Sequence, residues 1–178
     1  MITTICNLRH EGHIDSFYKI VVLRSQYLRS FTPFMDSLEL QEVFSNLLEA
    51  VDGFDMELLP DNVNVTHAAI NGPNGSRYNT SASFFVSPQE EETKALMEQF
   101  LNNEVVVLIH KNTKVHIYGT KEQPLLFSYS EVNGNSPGTL KGYTVSVSGS
   151  TTAGALYMPS TDFNIINKGL AFTLARQL

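Results

Sequence analysis

The run Val105-Val106-Val107-Leu108-Ile109 limits the possible folds more than any other stretch. It is continuously apolar and mostly β-branched, and it is long enough for one buried strand. The polar turn Lys111-Asn112-Thr113 follows. Val115 and Ile117 then alternate with Lys114, His116 and Tyr118, as in a half-buried strand ending at Gly119. Pro124 opens a third run, Leu125 to Tyr129, at a position where a missing N–H is tolerated. A loop rich in Asn, Gly, Ser and Pro spans Asn133 to Gly138. A fourth run, Tyr143 to Ser148, puts Tyr143, Val145 and Val147 on one face. These connections are too short for crossover helices, so an antiparallel meander over 104–149 is expected.

Two amphipathic helices are predicted beside it. From Asp36 to Val51, the residues Leu40, Val43, Phe44, Leu47, Leu48 and Val51 recur at three- and four-residue steps. Asp36 with Glu39 fits a capping box, and Gly53 fits a left-handed stop. The second helix is predicted over Pro88 to Leu101, with Ser87 and Glu90 as capping box and Pro88 at the first helical position. Glu90, Glu91 and Glu92 complement its dipole. Leu96, Met97, Phe100 and Leu101 form its apolar stripe.

Further strands are expected at Ile2 to Leu8 (an edge), Phe17 to Leu23, Phe54 to Leu58, Val63 to Ile70 and Arg77 to Val86. Asn71 to Gly75 reads as a turn. After Gly149, small residues lead to a tail from Leu156 to Leu178. Ile165, Ile166, Leu170, Phe172 and Leu174 make that tail too apolar to be free, so it should pack on this domain or on a neighbouring subunit. With 178 residues, 42% of them hydrophobic and 17% charged, the chain is expected to be one globular domain, 1–178. The fold class is α+β: mainly antiparallel sheet, as a sandwich or partly closed barrel, with one or two helices packed on it.

The net charge of −6 disfavours tight, sequence-independent nucleic-acid binding, which needs a basic face. It is compatible with an acidic surface past which nucleic acid slides. The single cysteine, Cys6, forms no internal disulfide. Met1 to Cys6 lacks the pattern of a signal peptide, and no apolar run reaches the roughly 20 residues of a membrane helix, so no membrane partner is expected.

Catalytic patterns are sparse. Gly134-Asn135-Ser136-Pro137-Gly138 matches G-x-S-x-G, but it leads into a strand rather than a helix. Pro137 also lacks the N–H that an oxyanion hole needs. An exposed turn is the favoured reading. His110 and His116 fall on neighbouring strands and could approach one another, yet no Cys or carboxylate stands beside them at zinc-ligand spacing. His10 and His13 lie in a turn. Glu90 to Glu92 do not face each other as a glycosidase pair would. Cys6 has no histidine placed to activate it. No catalytic, cofactor-binding or metal-binding residue is assigned, and no enzymatic activity is expected.

The order of elements carries a resemblance. Ile5-Cys6 and Gly12 precede a strand containing Tyr18. An extended run from Tyr78 to Phe85 leads into a capped helix ending Leu101-Asn102-Asn103. Val105 to Ile109, a turn, and a strand ending Tyr118-Gly119 follow. Pro124-Leu125, a Gly-containing loop, Gly142 to Gly149 and Ala155 complete the pattern. In this order the chain resembles virion structural proteins of tailed phages that infect Bacteroides-type hosts, crAss-like phages included, among their neck and tail ring or tail-tube-like components. It departs from them at Gly12-His13, where they tend to carry paired glycines, and at Leu140-Lys141, where Asp-Asn is usual. The resemblance implies a ring of copies of the chain, connecting portal to tail in the virion neck. Other neck, tail or portal proteins would be its partners, and genomic DNA would pass through the channel without specific binding. A monomeric β-barrel or sandwich binding a small ligand is the alternative, and a hydrolase using Ser136 a third reading.

Overall fold

The structure is a computed structural model that describes residues 2–5, 19–28, 30–31, 35, 39–40, 44, 52–57, 63–73, 75–87, 91–111, 114–133, 141–152 and 154–159. The strands are β1 (Ile2–Ile5), β2 (Lys19–Arg24), β3 (Gly53–Glu57), β4 (Val63–Gly72), β5 (Gly75–Val86), β6 (Glu104–His110), β7 (Lys114–Tyr118), β8 (Leu125–Val132), β9 (Gly142–Thr151) and β10 (Leu156–Pro159). Helix α1 is Glu91–Phe100, and Ser25–Tyr27 forms a single 3-10 turn.

The strands form one sheet in the order β1-β3-β2-β6-β8-β9-β5-β4, with β7 on β6 and β10 on β7. Every pairing is antiparallel except β1 with β3. The fold is thus α+β and mainly antiparallel, as expected, and since the sheet does not close on itself it is consistent with the sandwich form.

The meander is corrected in one respect: β7 and β8 do not pair. They share one edge of β6. Glu104 and Val105 pair with Leu126 and Leu125 of β8, whereas Val107 to His110 pair with Tyr118 to Val115 of β7. Gly119, at φ +83°, turns the chain away from β6 between the two. A Cβ there would lie 3.2 Å from Leu125 Cγ in a backbone conformation that side chains disfavour. The sheet therefore forks at β6, with β8-β9-β5-β4 on one limb and β7-β10 on the other.

Central strands β2 and β6 are buried on both faces, which explains their unbroken apolar sequence. One face carries Ile20, Val22, Phe54, Met56, Val105, Val107 and Ile109, joined by Phe84, Phe127, Val145 and Val147 from the outer strands. Helix α1 covers this face with Met97 and Phe100. Phe100 meets Phe54 at 5.1 Å and Phe127 at 5.8 Å, both edge-to-face. The opposite face holds Val21, Leu23, Val106, Leu108, Val115 and Ile117 under Leu28, Phe31, Leu40, Phe44 and Met158.

Of the helix expected over 36–51, only Glu39, Leu40 and Phe44 lie within the described residues. All three are helical, and Leu40 and Phe44 are buried, with Phe44 packed edge-on against Phe31 at 5.4 Å. Leu101 does not join the α1 stripe: the helix stops at Phe100, Asn102 takes φ 59°, and Leu101 is 42% exposed. The end of α1 is stitched to β8, Asn102 N donating to Phe127 O and Phe127 N to Asn103 O, each at 3.0 Å. The tail from Leu156 begins as β10. Its remainder, 160–178, lies outside the described residues, as do Cys6, His10, His13, Glu90 and the Gly134–Gly138 loop.

Candidate functional site

Strand alternation brings His67 and Thr80 of the β4–β5 hairpin to the same face as Val65 and Ala82, and Tyr118 of β7 to the same core. Where that core reaches the surface, on the side of the fork, a cluster of histidine and tyrosine rings replaces aliphatic residues. His67 stacks on Tyr78 with centroids 5.0 Å apart and planes 3° from parallel. Its Nδ1 lies 2.7 Å from Thr80 Oγ1. The same ring is 5.9 Å from Tyr118, which belongs to the other limb of the sheet. Tyr118 Oη is 3.3 Å from His116 Nδ1, and His116 meets Tyr157 of β10 edge-on at 4.7 Å. Lys114 Nζ sits 5.8 Å from the Tyr157 ring centre, within cation–π range.

The chemistry of the cluster is that of neutral hydrogen-bonding groups. Burial lowers the pKa of His67. His116 is lowered first by burial and then by the ammonium groups of Lys111 and Lys114. Burial, with a smaller contribution from Tyr157, pushes the Tyr118 phenol up to about 12. Tyr118 therefore stays protonated at neutral pH, its hydroxyl within hydrogen-bond distance of His116 Nδ1 with donor and acceptor set by the imidazole tautomer, and burial favours the neutral form of both imidazoles. Between the limbs lies a cavity of about 10 Å³ bordered by His67, Thr80, Tyr118, Gln123 and Thr151, room for about one water. His67 Nε2 is buried there with no hydrogen-bond partner among the described residues. Gln123 ties the fork to β9: its Oε1 accepts from Thr152 N at 2.7 Å.

His110 and His116 do not meet. The register pairs His110 with Val115 and His116 with Ile109, and alternation turns the two rings to opposite faces of the sheet. His110 is fully buried, on the face of Leu108 and Val106. On that face Lys19 of β2 forms a buried ion pair with Asp55 of β3. Lys19 stands directly opposite His110 in the ladder. Among the described residues no three His, Cys, Asp or Glu side chains gather as metal ligands. Glu91 and Glu92 are exposed on α1. The Tyr78–His67–Tyr118–His116–Tyr157 cluster was not anticipated. His116 and Tyr118, two apart on one strand, were its one visible sign, since the other contacts depend on register across the fork.

No family model, curated protein or solved structure matches this chain. No helix among the described residues is long and apolar enough to cross a membrane.

Proposed function

We propose that the chain is a non-enzymatic structural subunit of a tailed-phage virion, present as several copies in a neck or tail ring that joins portal to tail around the DNA channel. The order of strands and helix that carries the sequence resemblance supports this reading. The observation that carries it is the far end of the β4–β5 hairpin. Ala68 to Gly72 and Gly75 to Arg77 are exposed. β5 pairs with β9 only as far as Tyr78 with Thr151. Past that point, among the described residues, the hairpin is a bare two-stranded ribbon, a structure of marginal stability in water unless something packs on it. In a ring, the neighbouring subunit supplies that contact. The net charge of −6 suits a channel wall that passing DNA does not adhere to.

Electron microscopy of the purified protein, with mass spectrometry of purified phage particles, tests the proposal. Closed rings with a central opening, and the chain among virion proteins, are the expected results. A protein that stays monomeric at tens of micromolar and is absent from particles would overturn it.

A further inference from the structure

We infer that the outer edge of β4 is an inter-subunit contact, completed by β1 of a second copy of this chain. The inference rests on the self-assembling reading above and names the surfaces that reading leaves open.

β4 ends the sheet, and among the described residues nothing pairs with its second edge. Edges of this kind are usually guarded by charge, proline, a bulge or short length. β4 has none of these. Its sequence, Val-Asn-Val-Thr-His-Ala-Ala-Ile-Asn-Gly, holds no charged residue and no proline over 10 residues. Its ladder to β5 runs without a bulge from Val63↔Phe84 to Gly72↔Gly75.

The other end of the sheet has neither charge nor proline, and only its short length, four residues, guards it. β1 is Ile2-Thr3-Thr4-Ile5, all β-branched and uncharged, and among the described residues it pairs with β3 alone. The third terminal strand, β10, is as short as β1 and carries Pro159 in addition.

The direction of the strands favours joining the two ends. Passing from β1 to β4, the first step is parallel and the remaining steps, β3-β2, β2-β6, β6-β8, β8-β9, β9-β5 and β5-β4, are all antiparallel. An even number of reversals restores the direction, so β4 runs the same way as β1. Rotation about an axis along the strands preserves direction, so β4 of one copy meets β1 of the next as a parallel pair and continues the sheet. Two different edges on each subunit are what a closed head-to-tail ring requires.

The test uses the full chain. In a hairpin with a two-residue connection, the residues flanking the turn bond to each other and alternate positions face outward. The N–H of Ala69 then points away from β5, so Ala69→Pro removes the outer edge without removing a hairpin bond. Ala69→Lys guards the same edge with charge, and Thr3→Lys/Thr4→Lys guards β1. By light scattering, wild type is expected above the single-chain mass of 19.8 kDa and each variant near it. An equimolar mixture of Ala69→Lys with Thr3→Lys/Thr4→Lys should give one-to-one dimers, because each keeps one intact edge. Hydrogen exchange on wild type provides a check that needs no variant: peptides of both β1 and β4 should gain protection as dilute protein is concentrated into the assembly. Variants that assemble like wild type, a mixture that stays monomeric, or protection confined to β4 would each overturn the β4–β1 contact while leaving a ring possible through other surfaces. A monomeric wild type would overturn both.

Discussion

The guanidinium of Arg24 lies 4.8 Å over the ring of Phe100. From there Nη2 donates to the carbonyl of Gln99 at 2.8 Å, and Nη1 pairs with Asp52 at 2.8 Å. Arg24 thus shares with Asn103, whose Nδ2 donates to the same carbonyl at 2.6 Å, the closing of the carboxyl end of α1, where unpaired carbonyls and partial negative charge accumulate. The helix has no basic residue of its own in its last turn.

Arg24→Ala should therefore cost about 2–3 kcal/mol, combining a charge-assisted hydrogen bond with a cation–π contact. The Asp52 pair adds little, since both partners are partly exposed. Arg24→Lys keeps the charge but not the planar fork and should recover less than half the loss. Urea unfolding measures both. An unchanged midpoint in Arg24→Ala would show that α1 needs no such cap.

The Lys19–Asp55 pair makes a sharper demand. The two side chains are 10% and 1% exposed, on a face shared with Val21, Leu23, Leu108 and His110. Removing either partner strands a buried charge, so Lys19→Met or Asp55→Leu alone should cost about 3–5 kcal/mol. The double variant should regain most of that, because neither charge is then left alone. A double-mutant cycle in chemical denaturation gives the coupling directly, and additive losses would show that the charges do not depend on each other.

Much of the strand content could be read from alternation. Tyr143, Val145 and Val147 face the core as their spacing requires, and Val105 to Ile109 is buried on both faces as its unbroken run requires. The fork could not be read, because no local signal says that one edge of β6 is divided between two partners rather than paired with one. The His67–Tyr118 approach is hidden for the same reason: the two residues lie on different limbs, and only the curl of the sheet brings them together. His110 and His116 show the reverse failure. Nearness in sequence and on adjacent strands suggested a pair, while the two-residue period of a strand puts an even- and an odd-numbered partner of the ladder on opposite faces.

Glycines test the packing at two points along the same hairpin and its neighbour. A Cβ on Gly142 would run into the carbonyl oxygen of Val86 and come within 2.6 Å of the Phe85 ring. Backbone cannot yield cheaply, so Gly142→Ala should lose about 1–3 kcal/mol. Among the described residues, a Cβ on Gly72 would meet only Gly75 O, at 3.7 Å, an ordinary contact. Gly72→Ala should leave stability within about 0.5 kcal/mol of wild type. Thermal unfolding of the two variants side by side checks the contrast, and equal losses would contradict the close β5–β9 approach.

His110 gives the protein an acid-sensitive point. Burial, aided by the Lys19 ammonium, lowers its pKa from 6.5 to about 3. Above pH 6.5 the imidazole is neutral in both folded and unfolded chains and contributes no pH dependence. As pH falls below 6.5 the unfolded chain takes up a proton that the folded chain refuses, so stability declines by up to about 1.4 kcal/mol per pH unit and levels off near pH 3. His110→Leu lacks this proton uptake. The stability of wild type relative to His110→Leu should therefore be flat above pH 7 and fall steadily between pH 6 and pH 3, whatever the carboxylates contribute to both proteins. Urea unfolding of the pair across that range reads the difference, and parallel curves would mean that His110 can take up a proton in the folded protein as readily as in the unfolded chain.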